Sequence, residues 1–229
     1  MYDSVLRFDP EASGENIGFL DLENIYDQHQ WVWRCFDHEE NQKLKEADFT
    51  YRIDTSFSTL VVYLRSKRKP KPHIQSWVVT TQESVLDYAD ESLVQFSLRV
   101  NPTIAVRTDN KRSQRCDVIM HAKKLAKEAG DNIHDAQYHA SLNWLIKRQE
   151  QLGIEFLVQT LETSNYQQNR FKKKPAKKEI EDEKVIRFCS LDYRGLFKIK
   201  DSKKLKQALE KGIGKSRAFG CGLMLIKPI

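Results

Sequence analysis

Three observations predict an α+β fold made of two tandem ferredoxin-like (RRM-like) domains with antiparallel sheets. Short segments with alternating apolar residues, such as FTYRID (49–54) and STLVVYLRS (58–66), have the period of paired strands. Between such segments lie stretches with helical spacing, among them NIYDQHQWVWRCFDHEE and DSKKLKQALEKG. The order strand, helix, strand, strand, helix or loop, strand can be drawn twice, with a restart after about residue 92. The expected domains are therefore 1–92 and 93–229.

SVLRFDP starts the chain as a short strand. Asn24, with Asp27 three residues on, resembles a helix N-cap. Ile25, His29, Val32 and Phe36 then fall on one helical face. The 49–54 and 58–66 strands follow, joined by a short polar turn, and SWVVTT is a further strand. ESVLDYADE is read as a brief helix. In the second half, SLVQFSLRVNPTIAVR (92–107) is strand-rich and leads into a basic loop. A helical region covers roughly 117–152, with Leu142, Leu145 and Ile146 on its apolar face. FLVQTLETS (156–164) and VIRFCSLDYRGLFKIK (185–200) are strands flanking a lysine-rich loop. The helix after them is capped by Asp201 or Ser202, carries the stripe Leu205, Ala208 and Leu209, and stops at Gly212. LMLIKPI is the last strand.

The 229 residues are 40% hydrophobic and 31% charged, the usage of a folded soluble chain with room for a real core. No apolar run approaches a membrane span, and MYDSVLRFDPEASG lacks the pattern of a secretory signal. A cytoplasmic protein with no membrane partner is expected. Cys35, Cys116, Cys189 and Cys221 are far apart, so neither a zinc site nor a disulfide framework is indicated, and reduced thiols are expected. No metal site or cofactor is predicted. The net charge of +6 is concentrated in two places. RFKKKPAKK (170–178) holds six basic residues in nine, and Arg99, Arg107, Lys111, Arg112 and Arg115 face a single acid, Asp109, in their stretch. Such clusters suit a phosphate backbone; a solvated surface loop is the plain alternative.

KGIGKSRAFGCG (211–222) contains Gly-Lys-Ser, the end of a nucleotide phosphate loop. The rest of that motif is missing. Leu209 stands where its first glycine belongs, and a helix precedes the loop where a strand should. The dinucleotide-binding pattern fails on the same order of elements. What remains is Gly212, Gly214, Gly220 and Gly222 around Lys215 and Arg217, a backbone open to close approach with two cations inside it.

Taken together, the motifs resemble the CasE family, the type I-E CRISPR precursor-RNA endoribonucleases of the repeat-associated RNA-processing superfamily. GIGKSRAFGCGLMLIKPI is similar to the family's C-terminal glycine-rich motif, and YDQHQWVWRCF to its tyrosine–histidine helix. FSLRVNPTIAVRTDNKR resembles its Leu-Arg-x-Asn-Pro strand and basic loop, and NWLIKRQEQLGIEF its Trp-Leu-x-x-Arg helix. The matches occur in order over nearly the whole chain. Two stretches depart from the pattern. The segment from His121 to His139 is longer than expected, and RFKKKPAKKEIEDEK is more highly charged.

The resemblance implies metal-independent cleavage of a CRISPR repeat transcript beside a hairpin. The 2′-hydroxyl attacks the neighbouring phosphate, giving 2′,3′-cyclic phosphate and 5′-hydroxyl ends. It implies His29 as the catalytic histidine with Tyr26 as its partner, three residues apart on one helix. A histidine can exchange protons near neutral pH, but whether His29 serves as base or acid stays open. On spacing alone, its place in the apolar stripe reads instead as a buried structural histidine. RNA contacts are expected from Arg34, Arg99, Arg107, Lys111, Arg112, Arg115, Lys215 and Arg217. The implied partners are the repeat hairpin, or guide RNA, and the other Cascade subunits. The alternative function is a non-catalytic hairpin-binding subunit of a CRISPR ribonucleoprotein.

Overall fold

Alternation along the chain builds two antiparallel sheets, seen in a computed structural model that describes residues 1–9, 25–37, 48–56, 59–74, 76–107, 113–172 and 185–229. The residues cluster into two compact units. One comprises 1–86 with 170–187 and 210–223; the other comprises 87–169 with 188–209 and 224–229. The step from Leu86 to Asp87 lies near the expected restart at 92, but the second half of the chain returns twice to the first unit.

In the first unit, β1 (Tyr2–Phe8) is followed by α1 (Ile25–Arg34), β2 (Phe49–Ser56) and β3 (Thr59–Ser66). A short β4 (His73–Ile74) and β5 (Trp77–Glu83) complete the sheet, ordered β2-β3-β1-β5-β4 and antiparallel throughout. The path β2-β3-β1-β5 is the ferredoxin-like arrangement. Period-two burial sends Phe49, Tyr51 and Ile53 of β2 to the core face, with Leu60, Val62 and Leu64 of β3 and Leu6 of β1. The opposite face is polar: Arg65 makes a two-pronged ion pair with Asp3, its register partner, at 2.7 and 3.1 Å. Helix α1 covers the apolar face with Trp31 and Val32, and Cys35 and Phe36 just beyond its end continue the seal. Its ends suit the helix dipole, with Asp27 in the first turn and Arg34 in the last. The helix stops at Arg34, short of the expected run; its expected cap Asn24 lies outside the described residues.

In the second unit, β6 (Leu93–Val100) leads to a hairpin of β7 (Thr103–Val106) and β8 (Gln114–Asp117). Helices α2 (Val118–Ala129), α3 (Ile133–Ile146) and α4 (Gln149–Leu152) follow, then β9 (Ile154–Phe156) and β10 (Glu162–Lys172). The chain closes with β11 (Val185–Ile199), α5 (Ser202–Lys211) and β12 (Met224–Pro228). The sheet order β10-β11-β6-β12, with β9 also on β11, repeats the ferredoxin-like pattern. Val94, Phe96, Leu98 and Val100 point inward from β6. Trp144 of α3 stacks on Tyr193 of β11, and the Tyr193 hydroxyl donates to the Ser141 carbonyl at 2.9 Å. The long His121–His139 segment is ordered as two helices. Asp117 and Asn132 cap their N-termini, and Gly130 ends the first.

Two local expectations are corrected. ESVLDYADE is not helical, because its acids serve α5 instead: Asp90 accepts from the Ser202 N–H at 2.8 Å and Asp87 pairs with Lys206. Asp201 is the side chain that caps that helix from within, accepting from the Lys204 N–H at 3.0 Å. FLVQTLETS is not one strand. The Thr160 hydroxyl donates to the Leu157 carbonyl and accepts from the Leu196 N–H, holding a single 3-10 turn between β9 and β10. None of the four cysteines is in a disulfide, and burial pushes the Cys35 thiol up to about 12. Among the described residues, no helix is long and apolar enough to cross a membrane.

The second sheet carries one buried carboxylate. Asp192, 1% exposed, receives Arg99 at 2.7 and 2.9 Å and the Asn165 amide at 3.0 Å. Replacing Asp192 with alanine strands the Arg99 charge and should lower stability by about 3 kcal/mol. Urea unfolding checks this, and Asp192→Asn should lose less.

Candidate functional site

Helix α1 presents His29 to the sheet one turn before Val32, on the face its spacing predicts. The ring is half-buried. It lies stacked on Tyr51 at 6.2 Å between centroids, tilted against Phe49 at 5.6 Å, and at the edge of Trp33 at 6.2 Å. The indole N–H of Trp33 donates to His29 Nε2 at 3.1 Å. His29 Nδ1 is buried and has no hydrogen-bond partner among the described residues. Loss of water around the ring disfavours its charged form and pulls its pKa below 6.5. Burial therefore favours the neutral form of the ring over the charged one.

The glycine-rich segment belongs to the same unit as His29. Its ends are tied by the Ile213 N–H, which donates to the Gly222 carbonyl at 2.8 Å. Gly222 has φ +93°, and a Cβ there would stand 2.8 Å from the Ile213 carbonyl oxygen. Gly212, at φ +75°, sits so close to β2 that a Cβ would meet Thr50 at 2.6 Å. A side chain at either place is opposed both by backbone conformation and by contact. Within the loop, residues 217–219 form a 3-10 turn packed against α1 and β2. The Tyr51 hydroxyl donates to the Ala218 carbonyl at 2.9 Å, and Phe219 meets Phe171 edge-on. Burial holds the Tyr51 phenol well above its ordinary pKa, so it remains a neutral donor. The Arg217 guanidinium donates to the Lys211 carbonyl at the helix end, while Lys215 and Arg217 are both exposed.

The expected residues thus separate. His29, Arg34, Lys215 and Arg217 fall in the first unit, and Arg34 is exposed at the end of α1. Arg99, Arg107 and Arg115 fall in the second. Arg107, just past β7, and Arg115, on β8, are exposed, whereas Arg99 is engaged with Asp192. The backbone of Tyr26 lies in α1, but its side chain, together with Lys111, Arg112 and residues 173–184, lies outside the described residues. Among the described residues, no three His, Cys, Asp or Glu side chains gather as a metal-holding group. Trp33, Phe49 and Tyr51 were not singled out from sequence. The four-residue step from His29 to Trp33 and the alternation of β2 were the available signals.

A family model described as CRISPR associated protein matches residues 1–228. The chain is similar to the CRISPR system Cascade subunit CasE of Escherichia coli strain K12, 22% identical over 209 residues, covering 90% of this chain and 93% of that protein. Among solved structures, it resembles the CRISPR endoribonuclease Cse3 bound to 19-nt RNA, with a TM-score of 0.71 and 18% identity over the full length of both chains. It also resembles Thermus thermophilus Cse3 bound to an RNA representing a pre-cleavage complex, at 0.68 and 15%, again over both full chains. These structural likenesses establish the fold: two ferredoxin-like domains in tandem.

The depressed His29 pKa has a stability consequence. The folded ring binds its proton less tightly than the unfolded one, so the unfolded state takes up more protons as pH falls through 6.5. Its contribution is complete above that pH and is lost on acidification through the folded value. Comparing the wild type with His29→Phe should show a smaller loss of stability between pH 7 and 5 in the variant, by urea unfolding. Gly222→Ala should destabilise by more than about 1 kcal/mol through strain at the loop closure.

Proposed function

The chain belongs to the CRISPR-associated protein family, and from that premise we propose that it is an endoribonuclease processing CRISPR repeat RNA. The observation that carries this reading is the junction of a neutral, half-buried histidine with a closed glycine-rich loop bearing two exposed cations, all within one unit. The name of the similar E. coli protein, a Cascade subunit, and the RNA-bound endoribonucleases of the same fold support it.

In the proposed reaction, a 2′-hydroxyl beside the hairpin attacks the adjacent phosphorus. The hydroxyl proton passes to a base, the P–O5′ bond breaks, and a proton reaches the departing 5′-oxygen. The products are a 2′,3′-cyclic phosphate and a 5′-hydroxyl, and no metal takes part. His29 supplies proton transfer, worth about two to four orders of magnitude in rate. Tyr26, one turn earlier in α1, is assigned to the 2′-hydroxyl. Lys215 and Arg217 offset the charge on the phosphate, and Arg34, Arg107, Lys111, Arg112 and Arg115 line the RNA backbone. Arg99 has a weaker claim, since its guanidinium already serves Asp192. After cleavage, the protein keeps the hairpin and enters Cascade in the cytoplasm.

One observation favours the rival, a subunit that binds the hairpin without cutting it. Neither ring nitrogen of His29 is open as the chain stands: Nε2 holds the Trp33 N–H, and Nδ1 is buried. Incubation with the cognate repeat RNA in chelator separates the two. Cleavage with a cyclic-phosphate end is expected; tight binding with intact RNA would establish the rival. His29→Ala should abolish cutting by about two to four orders of magnitude while the dissociation constant stays within about threefold. Lys215→Ala and Arg217→Ala should weaken binding and reduce its salt dependence, by about one in slope for each phosphate that the variant no longer neutralises.

A further inference from the structure

The Trp33–His29 contact determines more than where the ring sits. An indole nitrogen is a donor with no acceptor capacity, so Nε2 must offer its lone pair. The neutral ring then carries its proton on Nδ1. A protonated ring would place N–H against N–H, so charging His29 breaks this bond.

Trp33 is itself held by two neighbours. The edge of Phe49 meets it at 5.0 Å and 77°, and the Arg68 guanidinium lies 5.6 Å from its ring centre. Arg68 also covers Phe36 at 4.5 Å. Asp48 fixes that guanidinium through Nε at 2.7 Å and Nη2 at 3.0 Å, and its Nη1 donates to the Asp37 carbonyl at 3.3 Å. The order Asp48, Arg68, Trp33, His29 is a continuous chain of support ending on one imidazole nitrogen.

We infer that Trp33, braced by Arg68, is a positioning residue that keeps His29 in its Nδ1–H tautomer with Nε2 as the proton-accepting atom. The catalytic consequence rests on the endoribonuclease reading above. There, the substrate 2′-hydroxyl replaces the indole N–H on Nε2: its O–H bond breaks as the oxygen bonds to phosphorus, and the proton goes to Nε2. His29 is therefore the base in the first step. Of the titratable or charged residues on the elements around the ring, Tyr51 of β2 lies against it and Arg217 is on the 217–219 turn, while Arg52 and Asp54 of β2 alternate away from Tyr51 and pair with each other at 2.8 Å. Asp27 and Arg34, with Tyr26, share its helix.

The test has two arms. Nitrogen-15 spectra of the RNA-free protein read the tautomer directly. The wild type should show Nδ1–H. Trp33→Phe keeps a ring against Phe49 and should move His29 toward Nε2–H, the form free imidazole prefers. It should also raise the His29 titration midpoint by about half a pH unit, as loss of one hydrogen bond to the neutral form would do. Arg68→Met should act in the same direction more weakly. In single-turnover cleavage at saturating RNA, Trp33→Phe should be slower by about tenfold or more, as expected for a misplaced group, with RNA affinity within twofold. Its acid limb should move to higher pH. Nε2–H in the wild type overturns the inference whether or not Trp33→Phe folds. An unchanged tautomer and midpoint in a folded Trp33→Phe overturns it as well. If the wild type leaves repeat RNA intact, the endoribonuclease reading fails, while the spectra still decide the role of Trp33.

Discussion

The hydrogen bond from the Tyr51 hydroxyl to the Ala218 carbonyl joins positions 167 residues apart in the chain. Much of the first unit depends on it. Tyr51 is fully buried, and a phenol there without a partner would cost about 1–3 kcal/mol. The same ring is the floor on which His29 rests. One side chain therefore sets the depth of the histidine and the seat of the loop that follows α5. The glycines act within this constraint: their left-handed backbone lets the loop turn tightly enough to bring the Ala218 carbonyl over β2.

Local pattern revealed most of the elements. The two-residue period of FTYRID marks Phe49, Tyr51 and Ile53 as one face of a strand, and that face is the core. The helical step through His29, Val32 and Phe36 likewise identifies the buried side of α1 and its continuation. Where local pattern misled, a distant polar partner had prevailed. Asp87 and Asp90 satisfy α5 more than a hundred residues away instead of forming their own helix. Thr160 closes a turn that no alternation announces.

The candidate site was legible in part for the same reason. His29 and the glycine-rich segment could be named from sequence, but their sharing of one unit could not, since it depends on strand register and on a hydrogen bond across 167 positions. Arg99 read as a surface cation because it was grouped with the basic run that begins at Arg107; its carboxylate partner stands 93 residues later, opposite it in β11. Trp33 lay in view, one turn beyond His29, and its apolar bulk concealed the single polar atom that matters to the histidine.

The first unit draws on residues 1–86 and again on 210–223. A ribosome makes the strands and α1 first, and the Ala218 carbonyl and the closed loop well over a hundred residues later. Until then the Tyr51 hydroxyl lacks this partner and the floor beneath His29 is unsecured. Contacts so distant in sequence also close slowly. A nascent chain would therefore carry the histidine long before its surroundings are assembled. Order of synthesis alone would leave the setting of this histidine incomplete until the glycine-rich segment has been made.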